Sequence, residues 1–144
     1  MFVICKRIEF SCSHRLWDKK LSAKENKRIF KKCSNKPHHG HNYICEIYLE
    51  SEILKHGMVV NFTDVKKIVK KKLIDKFDHY YLNTLMPKGQ LSTAENIAKL
   101  FYGEIKKSFP QVQKVRIWET SDSWAEYYET KEEKKCQVKE SSKQ

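Results

Sequence analysis

A thiol and three imidazoles crowd into one short stretch, Lys32-Cys33-Ser34-Asn35-Lys36-Pro37-His38-His39-Gly40-His41-Asn42-Tyr43, at the entrance to a strand-like run. Side chains of an extended chain alternate between faces, so His39 and His41 project to one side with Gly40 between them, while His38 points to the other. Two imidazoles on one face are half a metal site. Neutral imidazole nitrogen suits zinc, and a catalytic zinc keeps three protein ligands with one open position, so a third histidine has to come from elsewhere. His14, in Ser11-Cys12-Ser13-His14-Arg15-Leu16, is the candidate. The alternative is that His39 and His41 are ordinary loop histidines.

Other polar residues carry two readings each. Cys33 can be a fourth ligand, closing a structural site of one cysteine and three histidines. Glu119 shares a strand face with Val115 and Ile117. Either that face turns to solvent near the strand end, or the acid is buried and needs a partner. A carboxylate there could accept two parallel hydrogen bonds from a ring N–H and an amino group, the edge a guanine or pterin presents. Glu95, in Ser92-Thr93-Ala94-Glu95, reads as a capping-box acid occupied at a helix start. Asp78-His79 is either a helix end favoured by the dipole or an acid orienting a proton-transferring imidazole.

The elements that must position these groups follow from periodicity. Residues 2–10 alternate, which predicts a first strand with His14 beyond its end. Ser22-Ala23-Lys24-Glu25 is a capping box opening a short helix to about residue 30. Residues 43–50 alternate as a long second strand antiparallel to the first, and 58–62 reads as a short third. Asn61 or Thr63 caps a helix with Val65, Ile68, Val69, Leu73 and Phe77 on its buried face and lysines outside. Ser92 to Glu95 repeats the capping-box pattern and starts a second long helix, whose stripe is Ile97, Ala98, Leu100, Phe101 and Ile105, ended by Pro110. Strands over 112–120 and 124–129 follow. The expectation is an α+β domain over 1–130, an antiparallel four-stranded sheet with two long helices on one face, followed by a charged, disordered tail over 131–144. So small a sheet has open edges that oligomerisation would cover.

Composition bounds the function. The chain has 144 residues, enough for one domain with its own core. Five unevenly spaced cysteines and no secretory pattern predict free thiols in the cytoplasm, and no apolar run has membrane-spanning length. With 29 Lys+Arg against 18 Asp+Glu, the net charge is +11. The lysines sit in helix-like blocks without interleaved aromatics, so a nucleic-acid partner is not expected, whereas a small polyanionic substrate would be drawn in.

Taken together, Phe10-Ser11-Cys12-Ser13-His14-Arg15-Leu16, Leu21-Ser22 through Glu25-Asn26, Lys32-Cys33, His39-Gly40-His41-Asn42-Tyr43, Gly57-Met58-Val59-Val60-Asn61, Asp78-His79 with Leu82-Asn83, Ser92-Thr93-Ala94-Glu95-Asn96 and Trp118-Glu119-Thr120 resemble the successive motifs of the 6-pyruvoyl-tetrahydropterin synthase family. They stand in the family's order from about residue 2 to 128. The resemblance implies the tunnelling fold (T-fold), in which sheets from several subunits close into an oligomeric barrel, typically a homohexamer built as a dimer of trimers.

It further implies that His14, His39 and His41 hold Zn2+, that Cys33 is the catalytic base with Asp78 and His79 as a proton relay, and that Glu119 anchors the pterin ring with Glu95 and Thr93 lining the pocket. The implied activity is a zinc-dependent lyase that eliminates triphosphate from 7,8-dihydroneopterin triphosphate to give 6-pyruvoyl-tetrahydropterin. The alternatives are the 6-carboxy-5,6,7,8-tetrahydropterin synthase branch of queuosine biosynthesis and a non-catalytic zinc-bearing binding protein. The spacer over 21–33 and Met58-Val59-Val60-Asn61 resemble the first branch; Glu119-Thr120-Ser121-Asp122-Ser123-Trp124-Ala125-Glu126-Tyr127 resembles bacterial members. His38 stands where the family often has glycine.

Overall fold

Alternation of apolar and polar residues makes two long strands, and their register sets the site. In the computed structural model, which describes residues 1–130 and 133, β1 (Phe2–His14) and β2 (His39–Ser51) pair antiparallel from Phe2↔Ser51 to His14↔His39. The charged tail expected over 131–144 lies, apart from residue 133, outside the described residues. Both strands run further than expected, so His14, His39 and His41 stand on the ladder itself rather than in loops beside it. Gly40 allows the strands to close up there: a Cβ at this position would sit 3.1 Å from the Cys12 carbonyl oxygen.

Between them, the expected capping box is present at α1 (Ala23–Phe30): Ser22 Oγ accepts from Glu25 N at 3.2 Å and Glu25 Oε2 accepts from Ser22 N at 2.9 Å. A 3-10 turn, Lys31–Ser34, then carries Cys33. After β2, residues 58–62 do not form the expected strand. Lys55 and Met58 make one isolated bridge around the left-handed His56 and Gly57, and Asn61 Oδ1 accepts from Thr63 N, so the chain turns directly into α2 (Phe62–Val69). This helix runs on through a π turn, Lys70–Ile74, and a last turn, Asp75–Phe77, burying Val65, Val69, Leu73 and Phe77 and leaving Lys66, Lys67, Lys70 and Lys71 exposed.

The sheet is mixed and five-stranded, not antiparallel and four-stranded. Its extra member is β3 (Tyr80–Tyr81), which pairs parallel to β1 at Cys12 and Ser13 because Asp78 Oδ1 accepts from Ser11 N at 2.8 Å and His79 N donates to Ser11 O at 2.6 Å. With β4 (Val112–Trp118) and β5 (Trp124–Tyr127), the order is β3-β1-β2-β4-β5. The second long helix, α3 (Ala94–Lys106), buries Ile97, Ala98, Phe101, Tyr102 and Ile105. Both helices share one core with Phe10, Tyr43, Cys45, Ile47, Leu49, Val115 and Ile117, so they cover one face of the sheet. Each of these large side chains contributes about 1.5–3 kcal/mol by leaving water. His14 lies at the end of this buried face and is itself inaccessible to solvent.

Candidate active site

Register alone brings the imidazoles together. His14 faces His39 across the strand pair, and the ligating nitrogens of His14, His39 and His41 all lie within 4.8 Å of one another. His14 Nε2 and His39 Nε2 are 3.0 Å apart, close to the roughly 3.3 Å separating two nitrogens on a tetrahedral zinc with bonds of about 2.0–2.1 Å. His14 Nδ1 is engaged by the Ser92 carbonyl at 2.7 Å, which makes Nδ1 the protonated nitrogen and leaves Nε2 as a lone-pair donor. Among the described residues His41 Nε2 is buried without a hydrogen-bond partner; Glu119 Oε1 is 3.5 Å away, at ion-pair rather than hydrogen-bond range. Burial lowers the pKa of all three imidazoles, opposed at His14 by the Ser92 bond and at His41 by Glu119, and reinforced at His39 by His14. Three neutral imidazoles with one orphaned nitrogen fit a bound metal ion.

Around the histidines the expected residues divide into two groups. Glu119, Thr93 and Glu95 border a hollow of about 370 Å³ whose apolar walls are Leu16, Phe30 and Trp124. Glu95 is there because the expected second capping box is displaced by one residue. Thr93, not Ser92, caps α3, with Oγ1 accepting from Asn96 N at 3.4 Å, while Ser92 is buried under His14. The carboxylate of Glu95 is thereby released from the helix start and exposed. Cys33 is half-buried, its carbonyl accepting from Leu16 N at 2.9 Å. The Tyr43 hydroxyl lies 3.3 Å from His14 Nδ1, and its pKa is raised by burial first and then by Glu119, Cys12 and Cys33. Cys12 is a different kind of thiol: it donates to the Phe77 carbonyl, and burial pushes it up to about 11.

Asp78 and His79 form the second group. Their side chains are 2.9 Å apart, with His79 at a positive φ of 64° and its side chain 80% exposed. The Ser11 amide, and then His79, hold the Asp78 carboxyl below its usual range. His79 borders a second hollow of about 400 Å³ together with Ser11, Ser13, Gly40, His41 and Asn42, and among the described residues no hydrogen bond or ion pair joins this pair to the three histidines. His38 is exposed and packs against Tyr81 at 5.2 Å, directed away from the cluster as alternation requires. Sequence reasoning assigned no role to Tyr43, Asn83 or the Ser92 carbonyl; a backbone acceptor carries no side-chain signal that could have marked it.

The site can therefore hold a cation on three imidazoles beside the Glu119 carboxylate, with a hollow of substrate size bordered by that carboxylate. The chain matches the family described as 6-pyruvoyl tetrahydropterin synthase over residues 3–130. It is 37% identical over 129 residues to the 6-pyruvoyl tetrahydrobiopterin synthase of Dictyostelium discoideum, covering 87% of this chain and 94% of that protein. It is 29% identical over 153 residues to the 6-carboxy-5,6,7,8-tetrahydropterin synthase of Haemophilus influenzae, covering 90% of this chain and all of that protein. The structure of Caenorhabditis elegans 6-pyruvoyl tetrahydropterin synthase superimposes with a TM-score of 0.83 at 32% identity, covering 90% of this chain and 96% of that one.

Proposed function

The chain belongs to the 6-pyruvoyl tetrahydropterin synthase family, and we propose that it is a zinc-dependent lyase that converts 7,8-dihydroneopterin triphosphate into 6-pyruvoyl-tetrahydropterin with release of triphosphate. The observation that carries the reading is the meeting of His14, His39 and His41 beside Glu119. Zinc on the three imidazoles would supply Lewis acidity toward the hydroxyls of the substrate side chain. Glu119 accepts paired hydrogen bonds from the pterin ring, which Leu16, Phe30 and Trp124 enclose and Thr93 and Glu95 border. Cys33, as a thiolate, takes the carbon-bound proton beside the ring; the electron pair moves into the ring C=N bond, which takes up protons as that side-chain carbon becomes a ketone, and loss of a proton from the next carbon then expels the triphosphate.

The fold would be the T-fold, one catalytic domain over 1–130 with 131–144 as a tail outside it. Among the described residues the outer edge of β1 is paired only at Cys12 and Ser13. Closure of such edges between copies gives a barrel, as a cytoplasmic homohexamer made from two trimers. Asp78 and His79, with side chains 2.9 Å apart, would serve as the supporting proton relay. No described helix is long and apolar enough to cross a membrane.

The similarity to the Haemophilus influenzae relative supports one second reading, a 6-carboxytetrahydropterin product of the queuosine route. The test is incubation of the zinc-loaded protein with 7,8-dihydroneopterin triphosphate, following triphosphate release and the product mass. A pyruvoyl product is expected; a carboxyl product with acetaldehyde would establish the second reading. No release from a metal-loaded, folded protein would overturn both and leave a zinc-bearing binding protein.

A further inference from the structure

Asn83 lies in the 3-10 turn Leu82–Thr84 that follows β3, two residues past the last paired position, and its carboxamide lies flat against the backbone of Arg15. Arg15 N donates to Asn83 Oδ1 at 3.0 Å, and Asn83 Nδ2 donates to Arg15 O at 2.6 Å. These are the two bonds a peptide group would make in a ladder, so the side chain continues the pairing of Cys12 with Tyr80 and Ser13 with Tyr81 beyond the end of the strand. The same Oδ1 accepts from Ser92 Oγ at 3.0 Å. Ser92 is 1% exposed, and its carbonyl is the acceptor that holds His14 Nδ1.

The connection continues to the thiol. Arg15 Nε donates to Ser34 O at 2.7 Å and Leu16 N donates to Cys33 O at 2.9 Å, so the backbone clamped by Asn83 is also the backbone that carries the Cys33 turn. One amide thus touches the residue after His14 and the residue that orients the His14 ring, and is linked through Arg15 and Leu16 to the segment that bears Cys33. Asn83 Oδ1 accepts from two donors and Nδ2 donates to the Arg15 carbonyl, which fixes the orientation of the carboxamide. A residue needed only to fill this turn would not require both bonding capacities.

We propose that Asn83 is a positioning residue that sets the His14 imidazole and the Cys33 thiol relative to one another, an inference that rests on reading His14 as a metal ligand and Cys33 as the base. Residues that orient ligands through one intermediate commonly change metal affinity by about 10–100-fold when lost. Asn83→Ala is therefore expected to weaken zinc binding, measured by competition with a chelator, by at least about tenfold, to alter the visible absorption of the cobalt-substituted protein, and to lower kcat more than it raises KM. Ser92→Ala removes only the hydroxyl and keeps the carbonyl, so it should move the same readouts in the same direction by less. It decides the matter alone if Asn83→Ala does not fold.

Zinc affinity and a cobalt spectrum equal to those of the unmodified protein in the folded variants, with or without a lower Tm, would make Asn83 a turn residue and overturn the proposal. Zinc binding by His14→Ala as tight as that of the unmodified protein would overturn it as well, by removing the ligand it positions. Failure of the pterin reaction with normal metal binding would strike the activity alone, because zinc affinity and the cobalt spectrum do not use the pterin.

Discussion

His14 Nε2 faces His39 Nε2 at 3.0 Å, although the two residues lie 25 positions apart in the chain. His14 keeps its proton on Nδ1, so its Nε2 presents a lone pair toward His39 Nε2, and a cation between the two rings can be held by both. Adding zinc to the metal-free protein is therefore expected to raise Tm, since an ion that binds only the folded chain stabilises it by mass action. In His39→Ala the rise should be lost and zinc affinity should fall by more than about 100-fold, beyond what outer-shell partners typically contribute. Differential scanning calorimetry with and without zinc checks both. An unchanged Tm on adding zinc would contradict the metal site.

Acid should weaken the metal-free protein in a defined window. Burial holds His14, His39 and His41 below the ordinary imidazole pKa of 6.5, so just below that pH the unfolded chain binds more protons than the folded one. Stability then falls as pH falls, because the slope of unfolding free energy with pH has the sign of the excess protons bound by the unfolded state. Tm of the metal-free protein is expected to decline between about pH 7 and about pH 5.5, a range in which ordinary carboxyl groups remain ionised. A flat profile would mean that the histidines are not held neutral.

Much of this site could be read from the chain, because its residues obey alternation. His39 and His41 fall on one face by spacing alone, and Glu119 was conspicuous as an acid among apolar neighbours on its strand. Other features were hidden by competition between local patterns. Val59 and Val60 suggest a strand, but Asn61 can cap a helix, and a left-handed turn at His56 and Gly57 leaves no partner in register for 58–62. At α3, Ser92-x-x-Glu95 and Thr93-x-x-Asn96 are offset by one residue, and the second prevails because Ser92 is drawn under His14. β3 is two residues long and depends on the Asp78 carboxylate meeting a distant amide, a contact that has no local signature.

The cap at α3 gives a stability prediction separate from the chemistry. Thr93 Oγ1 accepts from Asn96 N, satisfying one of the amides left open at the helix start. Thr93→Ala should cost about 1 kcal/mol, whereas Thr93→Ser, which keeps the oxygen, should cost much less. Urea titration of the three proteins distinguishes these values. Equal loss in both variants would point to the methyl group rather than the cap.

Glu119 should act on binding of the ring. Its carboxylate is part-exposed on the hollow, 3.5 Å from His41 Nε2, so it has capacity left for two donors from a ligand. Glu119→Gln keeps one acceptor oxygen and loses the charge. A hydrogen bond to a charged group contributes about 1.5–3 kcal/mol, so affinity for an unreactive pterin should fall by about tenfold or more while zinc is retained. Fluorescence titration with the pterin and metal analysis of the same sample would show the two effects apart.

Cys33 separates a catalytic site from a structural one. If the thiol were a fourth ligand, Cys33→Ala would release zinc and lower stability together, since ligand loss and unfolding are linked in closed zinc sites. The three histidines already converge without it, with His14 locked by Ser92 and His41 left with a free nitrogen. Cys33→Ala is therefore expected to keep zinc at the level of the unmodified protein and to keep its Tm, while turnover of 7,8-dihydroneopterin triphosphate falls by at least about 100-fold, the lower range for loss of a general base. Cys33→Ser should remain nearly as inactive, because a hydroxyl is far less acidic than a thiol and supplies almost no base at neutral pH. Turnover surviving in Cys33→Ala would assign proton removal to another group, and the first to examine would be the Asp78–His79 pair.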